Sequence, residues 1–158
     1  MNNILRWPLP LAIILPVTLL AGGLFLEVGN PQANPEAIRM HAMLLARITA
    51  CHEPAKSVVS ANLVELSEGN VRRTPLKVVA LSTPGTFAVL GSIPAGSSPV
   101  IELSVVNPEY KNYSPHVLVR AGENGVQWTT LKRFSNNAPT AEDVKAVLAA
   151  NTSAPSGS

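Results

Sequence analysis

Downstream of Ala42, turn chemistry interrupts the chain about every ten residues, and this punctuation limits the fold more than any other feature. Ser67–Asn70 ("SEGN") and Ser82–Gly85 ("STPG") are turns by composition, and Pro84-Gly85 suits the centre of a type II turn. Pro94–Pro99 ("PAGSSP") and Asn107-Pro108 are further breaks, and Gly122–Gly125 ("GENG") offers Asn124-Gly125 for the positive φ angles of a tight hairpin. Short strands punctuated this often argue for a sandwich or barrel over a βαβ fold.

The intervening runs read as strands. "SVVSANLVEL" (Ser57–Leu66) puts Val59, Ala61, Leu63 and Glu65 on one parity, and a mixed set of Val58, Asn62 and Val64 on the other. "TPLKVVAL" (Thr74–Leu81), "TFAVLGSI" (Thr86–Ile93) and "VIELSVV" (Val100–Val106) follow, and "HVLVRA" with "VQWTTLKRF" forms the closing hairpin. Trp128 and Phe134 fall on strand parity and are expected in the core. Glu142–Ala150, opened by Thr140 as N-cap, is the one good short helix. Asn34-Pro35-Glu36 is a helix start with Asn as cap and Pro at the first helical position. We expect a helical or irregular stretch to about Met40, then a strand to about Cys51.

The amino-terminal part is of another kind. From Trp7 to Leu26 no residue is charged. As a helix this run would cover about 30 Å, the hydrocarbon thickness of a bilayer. It is longer than the apolar core of a cleaved secretory signal, which favours an uncleaved signal anchor, with a removable signal peptide as the alternative. Arg6 and the amino terminus precede it, so the short end stays in the cytoplasm and the remainder crosses. The expected organisation is a cytoplasmic end (1–6), a transmembrane anchor (7–26), a linker (27–41), a β domain (42–135), a carboxyl-terminal helical region (136–150) and a disordered tail (151–158). The β domain is expected outside the cytoplasmic membrane of a bacterial-type cell.

Several functions are disfavoured. The net charge is +2 with no cluster of Lys or Arg, so nucleic acid is a poor partner. Cys51 is the chain's one cysteine and cannot form an internal disulfide; a buried thiol is the expected state. No "GxSxG" or phosphate-binding loop is present and the acidic residues are scattered, so no catalytic residue is assigned and no enzyme is expected. An adjacent Cys51-His52 pair on a strand would diverge and make no dyad.

"MHAMLLARITACH" (Met40–His52) gathers ligands that soft copper favours. His41 and His52 would stand about 36 Å apart on a strand, too far to share one ion. The remaining copper(I) candidate is His41, Met43 and His116, set against the alternative of core methionines beside an exposed histidine. "NPEYKNYSPH" (Asn107–His116) is the stronger recognition candidate. Tyr110, Lys111 and Tyr113 occupy a proline-bounded loop, where tyrosines bury much area at little entropic cost. The alternative is that a tyrosine merely covers one end of the sandwich.

Within "PLKVVALSTPGTFAVLGSIPAGSSPVIELSVV", Pro84-Gly85-Thr86-Phe87 and Ile93-Pro94-Ala95-Gly96 carry a resemblance. The stretch resembles exported immunoglobulin-like domains of the YtkA and FixH type, and it also suits carboxypeptidase-regulatory-like domains. "SSPVIEL" stands where the former carry a tryptophan. The resemblance implies an all-β, immunoglobulin-like β-sandwich of about seven strands, here with an N-terminal transmembrane helix and a short C-terminal helix. It implies no catalytic residue. The expected function is a membrane-anchored extracytoplasmic binding or accessory module with a protein partner; a periplasmic copper chaperone and a structural subunit of a surface assembly are the alternatives.

Overall fold

A computed structural model describes residues 23–49 and 52–150. The apolar run as far as residue 22, Cys51 and the tail 151–158 lie outside the described residues. The expectations of a membrane helix, a buried thiol and a disordered end fall there. Among the described residues no helix is long and apolar enough to cross a membrane.

About half of the described chain lies in two antiparallel sheets. Their strands are β1 (Phe25–Gly29), β2 (Leu44–Thr49), β3 (Val58–Ser67), β4 (Asn70–Pro75), β5 (Lys77–Ala80), β6 (Thr86–Leu90), β7 (Val100–Val106), β8 (His116–Gly122) and β9 (Gly125–Phe134). The first sheet has the order β1-β2-β6-β5, the second β4-β3-β7-β8-β9. Alternation decides what each strand buries. Leu26, Leu44, Ala46, Ile48, Phe87 and Val89 from the first sheet meet Val59, Ala61, Leu63, Ile101, Leu103, Val105, Val117 and Val119 from the second in one core. Each contributes the alternate residues of its strand, as a sheet with one buried face requires.

The turns obey their local chemistry. Glu68 and Gly69 both have positive φ, a type I′ arrangement that closes the β3–β4 hairpin at Ser67 and Asn70. Gly85 also has positive φ and sits after Pro84, with the Thr86 amide donating to the Thr83 carbonyl. A Cβ there would lie 2.6 Å from Pro54 Cβ, so glycine is required by space as well as by φ. In the β8–β9 hairpin only Gly125 has positive φ; Asn124 does not, contrary to the expectation for that pair. The connection closes on a left-handed glycine.

Helix α1 (Pro35–Arg39) begins at Asn34, whose side chain accepts from the Glu36 and Ala37 amides. Helix α2 (Ala141–Ala149) begins with a reciprocal box between Thr140 and Asp143. Its Val144 and Val147 bury against Val64, Val100 and Leu118, covering part of the outer face of the second sheet. Two arginines hold this helix in place. Arg73 reaches Glu102 at 2.7 Å and the Pro139 carbonyl at 3.5 Å, while Arg120 donates to the Leu148 carbonyl at 2.8 Å. The second contact puts a cation against the negative end of the helix dipole.

Two features correct the sequence reading. Leu24 and Leu26, assigned to the membrane run, are buried in the core, and Phe25–Gly29 pairs with β2 from Phe25↔Thr49 to Gly29↔Leu45. The β domain therefore starts inside the stretch expected to be anchor and linker. "NVRRTPLKVVA" is also two strands in different sheets. The chain leaves β3's partner β4 at Pro75, passes Leu76, whose amide donates to the Ala61 carbonyl, and enters the first sheet as β5. Nine strands among the described residues thus replace about seven.

Candidate functional site

Strand pairing fixes which loops share an end. β1 starts opposite the end of β2, Arg47 of β2 lies opposite Thr86 at the start of β6, and β3 starts opposite the end of β7. β8 begins at His116 opposite Phe134, the last residue of β9. The chain's first described residues, the β7–β8 loop and the segment after β9 consequently meet at one end. The β3–β4 and β8–β9 hairpin tips lie at the other.

The β7–β8 loop is built from its first residue. Asn107 is buried; its amide donates to the Glu53 carbonyl at 3.2 Å and Ser57 Oγ at 2.9 Å, and its Oδ1 accepts from the Glu109 amide. Two consecutive backbone turns come next, Tyr110 N–H to Asn107 carbonyl and Tyr113 N–H to Tyr110 carbonyl. Ser114 closes the loop by donating to the Val105 carbonyl and, through its amide, to Asn136 Oδ1. These bonds satisfy the loop backbone locally and hold it rigidly against the sheets.

Tyr110 and Tyr113 are half-buried against the main core, while Lys111 is exposed. The three recognition candidates are thus brought together in one loop, with the rings also covering the end of the core. Two hollows flank Tyr113. One, of about 560 Å³, is bounded by Val58, Val106, Tyr110, Lys111, Tyr113 and Asn136. The other, of about 400 Å³, lies between the β1 and β9 edges and touches Phe25, Glu27, Thr49, His116, Arg133 and Phe134.

Sequence reasoning missed Val58 and Val106. They are cross-strand partners on the outer face of the second sheet, and both are exposed. The available signal was a valine at the end of each strand next to Ser60, Asn62, Glu102 and Ser104 on the same parity, which turns apolar again only at Val64, Leu66 and Val100, where α2 covers the sheet. Trp128, expected in the core, instead has an exposed ring beside Met43 and the Asn124 turn at the far end.

His41, Met43 and His116 are not assembled into a site. His41 is exposed in a turn of positive φ after α1. Met43 precedes β2 and lies near Gly91 and Trp128. His116 lines the hollow that also contains Thr49, at the opposite end of β2. The intervening strand of six residues separates Met43 from His116 by about 20 Å, far beyond a shared coordination sphere. Among the described residues no three His, Cys, Asp or Glu side chains cluster as metal ligands. His116 itself has a buried Nδ1 without a protein hydrogen-bond partner. Desolvation lowers its pKa below the ordinary histidine value, with Glu102 acting in the opposite direction.

Comparison of the chain with known protein families, with curated proteins and with solved structures gives no match.

Proposed function

We propose that this chain is a membrane-anchored, extracytoplasmic, immunoglobulin-like module that binds or assists a partner and performs no chemistry of its own. One observation carries the reading. The uncharged run that begins at Trp7 leads without a linker into β1, and it does so at the end of the domain that presents Tyr110, Lys111 and Tyr113. A tether and a rigid aromatic loop at one end suit a module held beside a membrane to make contacts. Two antiparallel sheets around a shared core support the sandwich class, and the resemblance around Pro84–Phe87 supports its immunoglobulin-like variety. The copper reading loses support because its three ligands stand apart.

The experiment is expression of the full chain in a bacterial host, followed by alkaline carbonate extraction and protease treatment of intact spheroplasts. The expected result is a chain retained in the membrane whose β domain is digested from outside. Release by carbonate, or complete protection from protease, overturns the reading.

A further inference from the structure

We infer that the end of the domain where β1 begins rests on the bilayer surface, and that the ligand of the Tyr110–Tyr113 surface is the lipid headgroup layer. This deepens the anchored reading and rests on it.

Chain length sets the distance between the domain and the membrane. Leu24 and Leu26 are buried among core side chains, so they are withdrawn from any membrane span. The uncharged run then leaves residues 7–23 for the bilayer, at the lower limit of about 17 residues that a spanning helix needs. Seventeen residues, if helical, would cover about 26 Å against a core of about 30 Å. A short span without a spacer draws the adjoining end of the domain down into the headgroup region. That end carries the hollow containing Phe25, Tyr113 and His116.

The side chains at that end are suited to the interface. Among the described residues, the exposed large apolar side chains are Phe25, Ile38, Val58, Val106 and Trp128. Phe25 (56% exposed), Val58 (59%) and Val106 (54%) lie at the end where the run attaches, grouped around Tyr113. Tyrosines with one apolar and one polar edge are the side chains that settle at membrane interfaces. Lys111 is exposed beside them and forms no ion pair among the described residues, which leaves its ammonium for phosphate. At the same end Glu53 pairs with Lys56 and Glu27 with Arg47, and Glu109 is set against the cations Arg133 and Lys111, so the charges nearly cancel and the attraction is chiefly apolar. The opposite end presents the polar hairpin tips Glu68-Gly69 and Glu123-Asn124, with the partly exposed Trp128 ring beside the second of them.

The test places the full chain in nanodiscs of phosphatidylcholine and phosphatidylglycerol containing a lipid with a nitroxide headgroup. A fluorophore is attached through a genetically encoded azide at the exposed positions Val58, Asn112 or, as control, Asn124. Quenching at Val58 and Asn112 at least threefold above that at Asn124 is expected. Equal quenching at all three, or none, in a chain that remains in the disc after carbonate treatment overturns the inference and leaves the anchor intact. A chain that does not stay in the disc overturns both. A photo-crosslinker at Lys111 in native membranes gives a second reading. Lipid adducts support the bilayer contact, and a discrete protein band without lipid adducts overturns it.

Discussion

Removing two methyl groups beneath α2 should measure how firmly that helix is docked. Val144 is fully buried in the cluster with Val64, Val100 and Leu118. Val144→Ala removes two methyl-sized groups, about 1.6 kcal/mol of burial at about 0.8 kcal/mol each. An unrelaxed cavity of roughly 50 Å³ adds about 1.2 kcal/mol. The expected loss is therefore about 2–3 kcal/mol if the sheet cannot settle onto the shortened side chain. Arg73 and Arg120 fasten α2 at its two ends, which restrains such settling. The assay is urea unfolding of the full chain in detergent, followed by tryptophan fluorescence, with Lys145→Ala as the solvent-facing comparison. That control should change stability by less than about 0.5 kcal/mol. Equal small effects for both variants would refute the reasoning, because they would show Val144 resting on nothing.

Two other expectations concern charges. The Glu102 side chain is 8% exposed and its partner Arg73 40% exposed, so Arg73→Ala strands a nearly buried carboxylate and should cost about 1–3 kcal/mol. Adding Glu102→Gln should restore part of that loss; denaturation curves showing no recovery would argue against a stranded charge. Asp143 accepts from Lys132 and from the Thr140 amide and hydroxyl, which lower its pKa to about 2. The unfolded carboxylate titrates near 4, so its contribution is complete above that pH and is lost as the pH falls toward about 2. The stability difference between the native chain and Asp143→Asn should shrink over that interval; a pH-independent difference would contradict the assignment.

Local chemistry was legible wherever a few neighbouring residues decide the outcome. Asn34 and Thr140 cap helices as their side-chain oxygens allow, and Pro84-Gly85 turns because Gly85 can take positive φ. The strand at β1 was hidden because Leu24–Leu26 continues an unbroken apolar run, and the alternation that places Phe25 outward is too short to stand out from it. The passage from β4 to β5 was equally hidden, since nothing within "RTPLKVV" says that the partner changes from β3 to β6. The tyrosine loop could be read from its residues. Its link to Val58 and Val106 could not, because pairing between distant strands brings them together. The same long-range pairing drives Met43 and His116 apart.

The direction in which β1 enters has a mechanical consequence. Its five paired residues run from the end that carries the tyrosine loop toward the far end, alongside β2. Tension drawn along the chain at Leu24 therefore pulls parallel to that strand and loads its cross-strand bonds together in shear. Peeling, which would break them singly at low force, requires a pull from the side. A domain hung by this strand resists an axial tug far better than a lateral one.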